Sequence, residues 1–341
     1  SKRVDCKVLC GGTVLTGKGI NLPYTNISLP ALTPKDMSDA EFGIGEGVDY
    51  LALSFVRQAK DVTKLRRLIK KLNMDIPIIA KLEKPEALDN LDEILDVVDG
   101  VMVARGDLAD EISFPKVPSA QKRIIKAANQ RGRLTIVATE MLSSMIDNPL
   151  PTRAEVSDVA NAVLDGTDMI MLSNETAMGA NPPLAVKTMR EIAEEAEKLL
   201  EPDGHPEGLD LEENHEVRKA LCEAISFLSY ELSENGIAVL TLSGATARLL
   251  SKLRPECPII AATHCERTWH RMAAYNNVEP VLIKSKYASV KKSFQKFKEI
   301  MLASKKLKPG DRFLILTGEG EDKDWSNSIQ ISTLPLKTDK A

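Results

Sequence analysis

The chain has 341 residues, 43% of them hydrophobic and 28% charged, with a formal net charge of −4. That length and composition suit a globular protein of two domains, or one large barrel with a smaller partner. The mild acidity argues against a nucleic-acid partner, and no apolar run of about 18 residues marks a membrane span. The five cysteines are sparse and odd in number. They show no disulfide-framework spacing, and with no signal-peptide pattern at the start the expected compartment is a reducing, cytoplasmic one.

Residues 1–22 alternate around Gly11-Gly12 like a hairpin, and Gly17–Pro23 breaks the pattern like a linker. From Thr33-Pro34 a helix–strand alternation begins. An apolar strand is predicted over 50–56. An amphipathic helix follows over 60–72, with Val62, Leu65, Leu68 and Ile69 on one side. Next come a strand over 77–83, a helix over 85–98 with proline near its start, and a strand over 101–105. A helix over 119–131, a strand over 134–139, a helix over 152–164, a strand over 168–172 and a long helix over 183–200 complete this stretch. Strand ends recur every ~25–35 residues, the period of a parallel βα unit. Residues 201–213 are acidic and rich in Pro and Gly, and read as an interdomain link. A second α/β segment follows. Its helices are predicted over 214–232, 245–253, 267–275 and 290–303, and its strands over 237–241, 258–263, 280–283, 312–316 and 328–333. A mostly parallel sheet is expected there.

The apolar strands of the first segment end in polar residues: Ser54, Lys81 with Glu83, Gly106 with Asp107, Thr139, and Ser173 with Glu175. Ligand sites in parallel α/β folds lie at the C-terminal strand ends. Two carboxylates on separate strand ends, Glu83 and Asp107, match the way Mg²⁺ is held between protein and substrate oxygens. Lys81 and Glu83 stand two apart in a strand and share a face. A lysine among Ile78, Ile79, Ala80 and Leu82 is costly unless paired. Beside a metal it suits a phosphoryl group in transfer, whose charge spreads over its equatorial oxygens. Gly106 permits close backbone approach, and its N–H with that of Asp107 is placed to hold a carboxylate, joined by the Thr139 hydroxyl. In the second segment, Thr241, Ser243, Gly244, Ala245 and Thr246 join a strand to a helix. They offer hydroxyls and N–H groups to a phosphate at a helix N-terminus. A plain N-cap by Ser243 is the other reading, and both stay open.

These residues sit in segments that resemble pyruvate kinase, in bacterial-type wording. They are Lys18-Gly-Ile-Asn-Leu-Pro23, Ser54-Phe-Val-Arg57, Ile79-Ala-Lys-Leu-Glu83, Met102-Val-Ala-Arg-Gly-Asp-Leu108 and Ala138-Thr-Glu-Met-Leu142. The run from Pro151 to Gly166 and Met171-Leu-Ser-Asn-Glu-Thr-Ala177 complete the set. The resemblance implies a partial (β/α)8 barrel with five of eight units, followed by a smaller α/β domain. It implies phosphoryl transfer from phosphoenolpyruvate to ADP, giving pyruvate and ATP in glycolysis. Lys81 would stabilise the transition state, and Glu83 and Asp107 would ligate Mg²⁺ or Mn²⁺. Gly106, Asp107 and Thr139 would bind the substrate carboxylate, and Ser54, Phe55 and Ser173 would line the site. It further implies K⁺ with ligands outside this chain, a homotetramer, and a sugar-phosphate effector site, for which Thr241, Ser243, Gly244 and Thr246 are the candidates. The domains would be 1–16, the tail of a β lid; 17–200, the barrel segment; 201–213, the linker; and 214–341, the effector and assembly domain.

Four departures from the family pattern qualify this. Ala109 replaces a glycine, and strains the turn that aims Asp107 if that position needs positive φ. Asp110 and Ser113 stand where the family has an aliphatic residue and a proline. Asn174 replaces a small residue. The loop 318–325 is acidic, with Lys323 its only cation, which is against a bisphosphate clamp there. A barrel of this type needs eight units, so the chain is expected to belong to a longer or nicked protein and to be inactive alone. Two alternatives are weighed: another barrel enzyme acting on phosphoenolpyruvate or pyruvate enolates, and a degenerate metabolite-binding paralogue that assembles with an active kinase.

Overall fold

A computed structural model describes residues 5–9, 11–13, 16–17, 31–200, 209, 216–283, 298–301, 307–317 and 328–335. The expected linker (apart from Leu209) and the acidic loop 318–325 lie outside these residues, as do most of the predicted hairpin and of the helix over 290–303.

The first segment runs α1 (Pro34–Gly45), β1 (Leu51–Leu53), α2 (Ala59–Lys71), β2 (Ile78–Leu82), α3 (Pro85–Asp89), α4 (Leu91–Val97) and β3 (Gly100–Ala104). It continues with α5 (Arg105–Ile112), α6 (Val117–Gln130), β4 (Leu134–Ala138), α7 (Arg153–Leu164), β5 (Met169–Met171), α8 (Asn174–Ala177) and α9 (Pro182–Glu197). The five strands form one parallel sheet in the order β1-β2-β3-β4-β5. Spatial order equal to chain order means every crossover turns the same way. The helices then collect on one face, and the sheet is a barrel wall, not a doubly wound layer. Ile78, Ala80, Leu82, Val101 and Val103 face the helices in one core. Ile79, Met102, Leu134 and Ala138 form the cluster on the opposite, inner face. A Cβ at Gly100 would lie 2.6 Å from Ile79 Cδ1 and 2.8 Å from Leu134 Cβ, so only glycine lets β3 pass between its neighbours.

Local sequence explains several helix starts. Thr33 and Asp36 form a capping box on α1, with proline in the first turn. Thr152 and Glu155 do the same on α7. The single helix predicted over 85–98 is two, parted at Asn90. The Asn90 side chain donates to the Arg57 carbonyl at 2.9 Å, tying the break to the loop after β1. Aspartates preceding β3 and β5 reach back to the neighbouring strand in the same way. Asp99 accepts from the Ile78 N–H at 2.8 Å and Asp168 from the Thr135 N–H at 2.7 Å.

The second segment runs α10 (Glu216–Glu231), β6 (Ile237–Leu240), α11 (Ala245–Lys252), β7 (Ile259–Thr263), α12 (Glu266–Met272), β8 (Val278–Leu282), β9 (Arg312–Thr317) and β10 (Ser328–Thr333). Its sheet has the order β10-β9-β6-β7-β8, parallel except for β10. Alternate residues feed two cores: Ile237, Val239, Ile259 and Leu314 on one face, Ala238, Ile260, Phe313 and Ile315 on the other. This sheet is therefore covered on both sides.

The second segment docks at the N-terminal ends of the barrel strands. The Tyr50 hydroxyl donates to the Arg271 carbonyl at 2.9 Å, and Arg254 donates to the Thr167 carbonyl at 2.8 Å. Lys252 pairs with Asp168, their side chains 2% and 0% exposed, and donates to Asn129 Oδ1 at 2.8 Å. Among the described residues no helix is long and apolar enough to cross a membrane.

Candidate active site

The polar residues predicted at strand ends all lie at the C-terminal side of the sheet, opposite the docked second segment, in strand order. Beyond β1 stand Ser54 and Phe55; β2 carries Lys81 and leads to Glu83; beyond β3 come Gly106 and Asp107. Thr139 follows β4 and Ser173 follows β5. Lys81 points to the inner face, as its place between outward-facing Ala80 and Leu82 requires. Its ammonium lies 2.7 Å from Glu83 Oε1 and donates to Ser54 Oγ at 3.2 Å. Glu83 is 1% exposed. Its other oxygen, Oε2, accepts from the Phe55 N–H at 2.8 Å, and Phe55 takes a φ of +54° there. Phe55 itself is exposed, with the Lys84 ammonium 6.0 Å from its ring centroid. Lys84 in turn pairs with the buried Glu111.

Glu83 Oε1 is an ion-pair partner by distance, yet among the described residues no donor meets it with hydrogen-bond geometry. A buried carboxylate oxygen with an unsatisfied lone pair suits a hard cation. The half-buried Asp107 carboxylate has no hydrogen bond or ion pair among the described residues, so it too is available. No cluster of three or more metal-ligating side chains occurs among the described residues.

The strand read over 101–105 ends one residue earlier, because Arg105 opens α5. Gly106 and Asp107 thus lie in the first helical turn, not in an irregular loop, and their N–H groups belong to a helix N-terminus, where anions are favoured. The Gly106 N–H donates to Thr139 Oγ1 at 2.8 Å, and that hydroxyl donates to the Ala138 carbonyl at 2.6 Å. Two of the three expected carboxylate donors are therefore bonded to each other: the Gly106 N–H is spent on Thr139 Oγ1, so it would act on a carboxylate through that hydroxyl. The structure also removes the concern over Ala109, which is buried in α5 and has no positive φ. Strain sits instead at Ser113, with φ +79° and ψ 143°, a conformation closed to proline. Asn174 is exposed at the start of α8, where its extra bulk displaces nothing in the core. Glu175 is buried; it accepts from the Leu142 N–H at 3.0 Å and the Ser173 N–H at 2.8 Å, so it joins the ends of β4 and β5.

Sequence reasoning missed Arg105 and Asp158. Arg105 is buried at the end of an apolar strand, which requires a partner, but its partner Asp158 comes from α7, far along the chain.

In the second segment, the 241–246 loop follows β6. The strand order changes direction between β6 and β9, so this loop lies at a topological switch point, where open α/β sheets bind ligands. Gly244, not Ser243, caps α11, at φ +83°. A Cβ there would lie 3.3–3.4 Å from Met272, Thr268 and Tyr275. The Thr241 hydroxyl accepts from the Gly244 N–H at 2.9 Å and Ser243 Oγ from the Ala245 N–H at 3.4 Å. Thr246 is 4% exposed, so the loop presents Thr241 and Ser243 to solvent and not Thr246.

The family model described as "Pyruvate kinase, barrel domain" matches residues 1–186, and "Pyruvate kinase, alpha/beta domain" matches residues 219–332. The chain is 41% identical over 318 residues to pyruvate kinase 2 of Synechocystis sp., covering 93% of this chain and 53% of that protein. It is 40% identical over 345 residues to pyruvate kinase 1 of Saccharomyces cerevisiae, covering 98% and 68%. It is 46% identical over 263 residues to pyruvate kinase of Bacillus licheniformis, covering 77% and 45%. The chain thus spans about half the length of most of the curated relatives it matches. With a barrel segment and an α/β segment matched in the order the two sheets occur, the chain belongs to the pyruvate kinase family.

Proposed function

We propose that the whole protein transfers a phosphoryl group from phosphoenolpyruvate to ADP, giving pyruvate and ATP. The observation that carries this is one rim holding two bonded sets: Lys81 with Glu83 at 2.7 Å, and the Gly106 N–H with the Thr139 hydroxyl at 2.8 Å. The second set receives the substrate carboxylate, with the Asp107 N–H and the N-terminal end of α5 adding positive field. The hydroxyl of Thr139 turns from the Ala138 carbonyl to donate to the ligand. Carboxylate capture orients the phosphate toward Lys81, and Ser54, Phe55 and Ser173 line the approach. As the bond from phosphorus to the enol oxygen breaks and that to the ADP oxygen forms, the Lys81 ammonium neutralises charge on the equatorial oxygens. The resulting enolate is protonated to pyruvate. Glu83 and Asp107 would hold Mg²⁺ or Mn²⁺, which when bound neutralises phosphate charge; K⁺ is the proposed monovalent partner.

We also propose the division at residues 17, 201 and 214, a homotetramer, and an anion-binding effector role for Thr241, Ser243 and Gly244. Turnover is proposed for a closed barrel, since a sheet of five strands leaves β1 and β5 as open edges.

The test is a lactate-dehydrogenase-coupled assay on the whole protein, with its barrel closed. Lys81→Met should lower kcat about 10³-fold with little change in phosphoenolpyruvate affinity, the usual cost of one preorganised charge at a transition state. Wild-type turnover retained by the variant would exclude this role for Lys81.

A further inference from the structure

We infer that Arg105 is a positioning residue whose guanidinium clamps the left-handed turn at Thr139-Glu140, and so holds the Thr139 hydroxyl against the Gly106 amide. The inference rests on the reading of that pair as the carboxylate cradle. Arg105 is 6% exposed. Its Nε and Nη2 donate to the Thr139 carbonyl at 3.2 and 2.9 Å, and Nη2 donates to the Glu140 carbonyl at 2.9 Å. Its Nη1 pairs with Asp158 of α7 at 2.6 Å. One cation thus ties α5, the loop after β4 and α7 together.

The turn requires such a clamp. Thr139 has φ +70° and Glu140 φ +54°, two successive non-glycine residues in the left-handed region. A β-branched residue is especially disfavoured there, and each such residue costs energy that its surroundings must offset. The turn also directs two carbonyls inward, which the rigid, planar fork of arginine satisfies together and the point charge of lysine does not. Arg105 immediately precedes Gly106. Its backbone therefore starts the helix that supplies the amide, while its side chain fixes the turn that supplies the hydroxyl. A displacement on either side would separate the amide from the hydroxyl, now 2.8 Å apart.

The test uses variants of the whole protein in the coupled assay, with calorimetric titration of phosphoenolpyruvate. Arg105→Lys keeps the charge but gives up the planar fork that holds both carbonyls and Asp158 at once. It should raise the KM for phosphoenolpyruvate about tenfold or more, the scale of losing charge-assisted hydrogen bonds, and leave the KM for ADP unchanged. If Arg105 acts through the turn, adding Arg105→Lys to Thr139→Ala should weaken binding no further than Thr139→Ala alone. Glu140→Gly, which accepts positive φ without strain, should restore some of the affinity lost in Arg105→Lys. Additive losses in the double variant, or a lowered Tm with both KM values raised alike and no rescue by glycine, would overturn the inference. A wild-type whole protein, barrel closed, that neither turns over nor binds phosphoenolpyruvate would overturn the functional reading and this inference with it. Wild-type turnover accompanied by additive losses would overturn the inference alone.

Discussion

At the scale of single residues, the candidate site places charge where the local sequence alone would not tolerate it. Lys81 stands in an apolar strand and persists because Glu83, two residues on, turns to the same face and lies 2.7 Å away. Their shared face is legible in the sequence, since i and i+2 point the same way by geometry. The backbone that holds the partners is not. Phe55, Thr139 and Glu140 all adopt positive φ, and no residue type among them announces it. Ser113 is a further case, exposed at the end of α5 with φ +79°. Glycine at 113 would adopt this backbone freely, so Ser113→Gly should stabilise the protein by about 1 kcal/mol, within the usual range for relief of such strain. A thermal melt in which Ser113→Gly unfolds at or below the wild-type temperature would refute the strain.

At the scale of elements, the helix starts are the most predictable features because a cap is a contract between neighbours in sequence. The α7 box is the richest. Glu155 accepts from the Thr152 N–H and hydroxyl at 2.7 and 2.9 Å, and from the Ser144 N–H and hydroxyl at 2.7 and 2.5 Å. It therefore fixes the loop after β4 as well as its own helix. Partial burial pushes this carboxyl up, but the hydrogen bonds from Ser144 and Thr152 outweigh burial and hold it below its ordinary 4.5. A depressed carboxyl contributes stability that is present above the unfolded value and lost as pH falls through the folded one. The stability gap between wild type and Glu155→Gln should therefore be full near neutral pH and close as pH falls below about 4.5. Denaturant midpoints measured across that range check this, and a gap that is constant with pH would contradict it. By contrast, α5 was invisible from sequence. Its first residues follow an apolar strand with no capping side chain, and helix formation there depends on Leu108 and Ile112 packing into the core.

At the scale of the whole molecule, the candidate active-site rim and the docking surface lie at opposite ends of one sheet. The second segment sits against the N-terminal strand ends through Lys252 and Asp168, a fully buried pair. Burial pushes the Lys252 ammonium down to about 8, against the pull of Asp168. Asp168 Oδ2 also accepts from the Thr135 N–H and hydroxyl, while Oδ1 is buried with no hydrogen-bond partner among the described residues. Removing one member leaves an uncompensated buried charge, so Asp168→Asn and Lys252→Met should each cost about 3–5 kcal/mol. The double variant should cost clearly less than their sum, because neither charge is then left unpaired. Additive losses in chemical denaturation would show that the two do not act as a pair.

The sequence by itself determined the alternation of strands and helices, the polar strand ends, the shared face of Lys81 and Glu83, and the family. Periodicity, capping and short-range geometry act within a few residues, and the family segments are contiguous. Only the tertiary structure decided that Gly106 meets Thr139, that Arg105 clamps the turn beside them, that Ala109 is an ordinary helical residue, and that Lys252 reaches Asp168. The three contacts join residues from different βα units or different domains, and the helix that holds Ala109 depends on packing into the core. Their partners are set by the curvature and register of the sheets, which no local pattern encodes.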